Sequence, residues 1–73
     1  MDGLRALRLR RLLTQTELAE RLGVRYQTVG AWESGQARPR VSAMRKLCEV
    51  LDVTPDVLLA ALEESRREGK EAA

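Results

Sequence analysis

Apolar residues recur three and four positions apart along this chain, which is the spacing of helices that bury one face. Leu4, Leu7 and Leu12 mark a first stripe, with Arg5, Arg10 and Arg11 pointing outward, and predict a helix from about Gly3 to Leu12 or Leu13. Thr14-Gln15-Thr16-Glu17 has the spacing of a capping box, in which a threonine and a glutamate three residues on satisfy each other's backbone N–H groups. It predicts a second helix over about 15–22, where Leu18 and Leu22 share a face and Ala19 leaves room for a neighbouring helix. Gly23 follows, and glycine takes the left-handed conformation that a sharp helix exit needs. Val24 then turns inward. A third helix is predicted over about 26–33, with Val29 and Trp32 facing the second, and Gly35 ends it as Gly23 ended its predecessor.

A polar loop, Ser34 to Arg40, comes next, and Pro39 keeps Arg38 extended. Ser42 is the expected cap of a fourth helix with the stripe Met44, Leu47, Cys48 and Leu51. After a short Asp52-Val53 link, Thr54 is the cap of a fifth helix. Pro55 takes its first position, where a missing N–H costs nothing, and Asp56 complements the positive helix end. Val57, Leu58, Ala61 and Leu62 give this helix an apolar side, with Leu59 as an extra patch. The segment from Glu63 to Glu71 is charged and mixed in sign; the helix is expected to run on for a turn or two and to fray after Gly69. The whole reads as all-α, a compact five-helix bundle.

Composition narrows the picture. Seventy-three residues make one domain near the lower size limit for a core without staples. There is no Phe, and Trp32 and Tyr26 are the only aromatics, so the core must be Leu, Val and Ala. The single Cys48 allows no internal disulfide and fits a small buried site on the fourth helix. Without histidine or a second cysteine there is no metal-ligating set, and no cofactor is implied. No apolar run approaches the ~18 residues of a membrane span, and the N-terminus has no long apolar signal segment, so a cytoplasmic location is expected. Net charge is +2, with +3 on residues 1–62 and −1 on residues 63–73. Most of the basic residues are arginine, whose planar fork of donors suits phosphate. A solvated arginine-rich surface accounts for the same charge, so charge alone does not make a nucleic-acid binder.

Two short crossed helices joined at a glycine are the means by which a small protein lays a helix in the DNA major groove. An ordinary helical hairpin shares that spacing, and further residues tip the balance. In order, they are Leu7-Arg8, Leu13-Thr14-Gln15, Glu17-Leu18-Ala19, Leu22-Gly23-Val24, Thr28-Val29, Trp32-Glu33-Ser34-Gly35, Arg38-Pro39, Leu47, Leu51-Asp52-Val53 and Asp56-Val57-Leu58. Through them the chain from about Leu4 to Leu59 resembles the phage-repressor-like helix-turn-helix family, the Cro/repressor or XRE type. The resemblance implies a lambda-repressor-like fold for residues 1–66, with 67–73 as a charged tail. It implies a homodimer on double-stranded DNA and a transcriptional regulator, most often a repressor at a palindromic operator. Such regulators are bacterial or phage-encoded and nucleoid-associated.

Base-reading residues must lie at the start and outer face of the third helix, which selects Arg25, Tyr26, Gln27 and, one turn on, Gly30 and Ala31. In the family, positions matching Tyr26, Gln27 and Ala31 commonly face bases. The Gln27 amide can pair with adenine in two hydrogen bonds; a solvated helix residue is the alternative. Tyr26 can meet a phosphate, pack on a thymine methyl, or cover the edge of the second helix. Arg25 stands where the family usually has a capping Ser or Thr, gaining a cation beside the groove. Ala31 can touch a thymine methyl. Phosphate contacts are expected from Thr14 and Gln15 at the start of the second helix, from Thr28, and from Ser34, Gln36, Arg38 and Arg40 in the loop. The family often buries an Arg–Glu ion pair at the positions of Arg8 and Glu33, and the same pair is expected here, setting the angle of the third helix.

One module buries too little surface for tight specific binding, so two copies are expected, with Leu59 and Leu62 of the fifth helix as the symmetric contact. No small-molecule ligand is expected, since no sensor segment accompanies the bundle. An enzyme is not expected either: there is no glycine-rich phosphate loop and no nucleophile–base arrangement. The rival reading is a protein-interaction module, for example an antitoxin-like partner, with weak or no DNA binding.

Overall fold

The computed structural model describes the backbone of residues 3–72 and the side chains of residues 3–67. Five helices follow one another: α1 Leu4–Arg10, α2 Gln15–Leu22, α3 Tyr26–Ser34, α4 Val41–Leu51 and α5 Pro55–Ala72; no strand occurs among the described residues. α5 packs against α1, α3 and α4, while α2 packs against α3 and α4. Leucines from all the helices except α3 meet Val29 and Trp32 of α3 in one continuous core. No helix among the described residues is long and apolar enough to cross a membrane.

Helix starts follow the sequence chemistry. Glu17 N–H donates to Thr14 Oγ1 at 3.0 Å and Thr14 N–H donates to Glu17 Oε1 at 2.9 Å, closing the capping box. Val57 N–H donates to Thr54 Oγ1 at the start of α5. The start of α4 differs from expectation. Its N-cap is Arg40, and Ser42 lies inside the first turn with no capping role. Pro39 restricts only Arg38, so the chain is free to turn helical directly after Arg40.

Helix ends share one device. At Gly23 and Gly35 the backbone is left-handed, with φ of 73° and 81°. In each case the glycine N–H and the next N–H turn back to carbonyls of the closing helix, a Schellman pairing. Asp52 adopts the same conformation at the end of α4. So does Leu12 after α1, and here the sequence expectation fails: Leu12 is 88% exposed and contributes nothing to the core. α1 ends at Arg10, and Leu13 takes the buried position instead. Ending the helix there frees the Leu13 carbonyl to accept from Arg8 Nη1 at 2.7 Å.

α5 belongs to the bundle as far as Ser65. Leu62 is buried, only 6% exposed, so it cannot serve as the dimer contact expected of it; Leu59 remains accessible at 42%. The reason is rotational: Leu58, Ala61, Leu62 and Ser65 follow one stripe, and that stripe faces inward. Ser65 is itself buried, and its Oγ accepts from Leu4 N–H at 2.8 Å, capping the otherwise unsatisfied start of α1. The helical backbone continues past Gly69 to Ala72.

Gly35 meets α5 closely enough to matter. A Cβ there would lie 2.6 Å from Arg66 Cα, whereas one at Gly23 would meet nothing within 4 Å. Gly23→Ala should therefore cost only the left-handed penalty, about 1–2 kcal/mol. Gly35→Ala should cost clearly more, because two backbones must separate, and urea denaturation of both variants measures the difference. The capping box gives a pH prediction. Thr14 backbone N–H, then its hydroxyl, then the charge of Arg21 hold the Glu17 pKa below its ordinary 4.5. A lowered folded pKa means the contribution is full above the ordinary carboxylate range and is lost as pH falls through the folded value. Glu17→Gln should therefore flatten the acid side of the stability profile while leaving its neutral-to-alkaline shape unchanged, as denaturation midpoints across pH would record.

Candidate nucleic-acid interface

α3 has two distinct sides. Val29 and Trp32 are buried, while Tyr26, 52% exposed, and Gln27 open to solvent. Arg25 is the N-cap, extended and exposed, with no capping hydrogen bond from its side chain. Gly30 and Ala31 are half-buried one turn on. Gly30 is not forced by packing: an added Cβ would make ordinary contact with the Gln15 side chain at 3.7 Å. The exposed surface of α3 is therefore rich in reach at its first turn and shallow after it.

A buried polar cluster holds this helix in place. Arg8 Nε donates to Glu33 Oε2 at 2.6 Å, and Nη2 donates to Oε1 at 3.2 Å. Both side chains are more than nine-tenths buried. Gln15 Nε2 donates to the same Oε1 at 3.0 Å. The carboxylate at the end of α3 thus joins α1 and the first residue of α2. A charge in such a site is tolerated only when its partners are close and its remaining lone pairs are used, and no buried side-chain donor or acceptor among the described residues lacks a partner.

The expected phosphate contacts separate into two groups. At the start of α2, Thr14 is exposed but already engaged in the capping box, and the Gln15 amide is turned to Glu33. Around the α3–α4 loop, Gln36, Arg38 and Arg40 are exposed. Ser34 is exposed too, and its hydroxyl donates to Ala31 O at 3.2 Å. Arg38 stands 3.7 Å from the Glu63 carboxylate of α5 in an exposed pair, which is worth little in water. Thr28 is half-buried and lines a cleft together with Arg38 and Arg40. Lys46, which the sequence reading did not single out, and Ser42, which it read only as a helix cap, line that same cleft. Their signal was present only as polar positions on the side of α4 opposite Leu47 and Leu51. The apolar counterpart, between α4 and α5, is lined by Val41, Met44, Cys48 and Leu59.

Comparison with known proteins agrees with this geometry. Residues 4–58 match the family described as helix-turn-helix. The chain is 37% identical over 62 residues to an HTH-type transcriptional activator, BcrR, of Enterococcus faecalis, covering 85% of this chain and 30% of that protein. It is 38% identical over 52 residues to the antitoxin HigA1 of Mycobacterium tuberculosis, covering 71% of this chain and 35% of that protein. The chain thus spans about a third of the length of these relatives. No solved structure matched it.

The buried cluster makes a stability prediction. Glu33→Ala leaves the Arg8 cation without its counter-charge and should cost about 3–5 kcal/mol. Gln15→Ala removes one hydrogen bond from a carboxylate that keeps its arginine, and should cost about 1–3 kcal/mol. Equal losses in chemical denaturation would show that Glu33 is not the centre of the cluster.

Proposed function

The chain belongs to the XRE-type helix-turn-helix family of DNA-binding domains, and from that premise we propose that it is a sequence-specific regulator of transcription that acts on double-stranded DNA. The reading is carried by the free outer side of the first turn of α3. Arg25, Tyr26 and Gln27 stand exposed there, with Arg38 and Arg40 in the following loop. Inserted in the major groove, that turn brings Gln27 to base edges, while the arginines meet phosphates and fix the register. Repression of a promoter by occupancy of a palindromic site is the form of regulation proposed.

Among the described residues the longest extent is 29 Å. Successive major-groove faces lie about 34 Å apart, so one copy reads one half-site and a pair reads the operator. Leu59, exposed on α5, is the proposed contact between copies. A second reading draws on the antitoxin relative and on the short side chains of Gly30 and Ala31: a bundle that holds a protein partner and binds DNA weakly or not at all.

Gel retardation and site selection separate the two. The regulator should retard mixed-sequence duplex at low salt, lose it steeply as salt rises, and select two half-sites related by symmetry. Gln27→Ala should weaken the selected site by about 1–3 kcal/mol and relax a single base position. Absence of any salt-sensitive retardation would favour the protein-interaction reading.

A further inference from the structure

The end of α1 holds leucine out in water. Leu9 is 48% exposed and Leu12 is 88% exposed. Leu12 N–H donates to the Leu9 carbonyl at 2.9 Å, so both belong to one closing turn. Arg5 stands four residues before Leu9 and shares its side of the helix, and Arg11 immediately precedes Leu12; both arginines are exposed. Neither is in an ion pair among the described residues. No acidic residue occurs from Gly3 to Leu13.

Leu12 costs the fold stability in two ways. Its φ of 56° is left-handed, where a Cβ crowds the carbonyl that follows. Gly23 and Gly35 end α2 and α3 in the same region without that strain. Its side chain is also left in water and adds nothing to the core. A strained residue that the fold does not use points to work done outside the fold. One exposed leucine is ordinary; two on one turn, beside two unpaired arginines, make a contact surface.

We propose that this end of α1 docks an acidic, leucine-bearing segment of a second protein. Leu9 and Leu12 meet its apolar side chains, and Arg5 and Arg11 meet its carboxylates. The two chemistries together select the occupant. Arginine alone suits a carboxylate or a phosphate. A sugar–phosphate strand would satisfy the arginines and leave the leucines without an apolar partner of their size. A lipid surface would accept the leucines, but two of them bury too little to hold a chain there. An acidic amphipathic segment supplies both halves of the contact. The proposal stands apart from the DNA-binding reading, because it uses none of the residues assigned to bases or phosphates.

The test uses the full chain and fluorescence anisotropy of a labelled amphipathic peptide, with leucines three and four apart among glutamates. Companion probes carry serine for leucine, or lysine for glutamate. The chain should bind the first peptide and neither companion. Leu12→Gly and Leu12→Ser should each weaken that binding by about ten-fold or more, the loss of one buried leucine. Arg5→Gln and Arg11→Gln should each weaken it by about two- to five-fold. Val41→Ser, which removes an exposed apolar side chain from α4, should leave it unchanged. Leu12→Gly should also melt a few degrees higher than the unaltered chain, because it relieves the left-handed strain; lost binding in a more stable protein is not misfolding. Failure to bind the glutamate–leucine peptide, or equal binding of its serine companion, would overturn the proposal. So would a Leu12→Gly variant that binds the peptide as the unaltered chain does. The same variants are measured against a mixed-sequence duplex and phosphatidylglycerol vesicles. An equal ten-fold loss on the duplex would place Leu12 in a DNA contact instead, and binding to vesicles with none to the peptide would place it at a membrane; either overturns the protein-docking assignment.

Discussion

The direction in which α3 leaves the bundle depends on one carboxylate. Glu33 sits at the C-terminal end of that helix and accepts hydrogen bonds from Arg8 on α1 and Gln15 on α2. Arg8 in turn donates to the carbonyl of Leu13, the residue that leads into α2. Four successive parts of the chain are therefore tied to one buried charge. Burial of Val29 and Trp32 selects the inward side of α3 but still allows small shifts of its axis, because the hydrophobic effect is non-directional. A bidentate arginine–carboxylate pair does not, since its two hydrogen bonds fix both distance and plane. The exposed turn at Tyr26 and Gln27 owes its orientation to a charge buried two helical turns away.

α5 supplies the wall against which this arrangement rests. Its inner stripe ends with Ser65, which caps α1, and its backbone at Ser65 and Arg66 leaves room for nothing larger than glycine at position 35. The end of α3, the start of α1 and the third and fourth turns of α5 are thus mutually fitted. Charged residues around this contact give it the look of a solvated tail. A serine at the right turn of the helix makes it part of the core.

The outer surface divides the proposed work unevenly. The first turn of α3 carries side chains long enough to read bases, and the second carries Gly30 and Ala31, which bring little beyond backbone and a methyl group. Positive charge is more plentiful than base readers, and it gathers at the α3–α4 loop and the start of α4. In the proposed reading such a surface holds the DNA backbone firmly and reads few positions per half-site, and discrimination draws on the pairing of two copies and on how readily the intervening DNA bends.

Where local chemistry decides, the residues alone were informative. The Thr14–Glu17 box, the glycines at 23 and 35, and Pro55 after Thr54 each fix a helix end through backbone groups a few positions away. Those ends were legible to within a residue or two. Leu12 and Ser42 were misjudged because their roles turn on which of two adjacent residues the helix boundary takes, a choice worth little energy locally. Leu62, Ser65 and the Lys46 cleft could not be placed from spacing alone, because each depends on how one helix is rotated against others distant in sequence. Helix periodicity and end signals are written in short-range steric and hydrogen-bonding preferences, so the chain by itself determined its elements and family likeness. Rotation, burial of charge and the gathering of cations from α3, the loop and α4 are set by the packing of all five helices at once, and only the tertiary structure decided them.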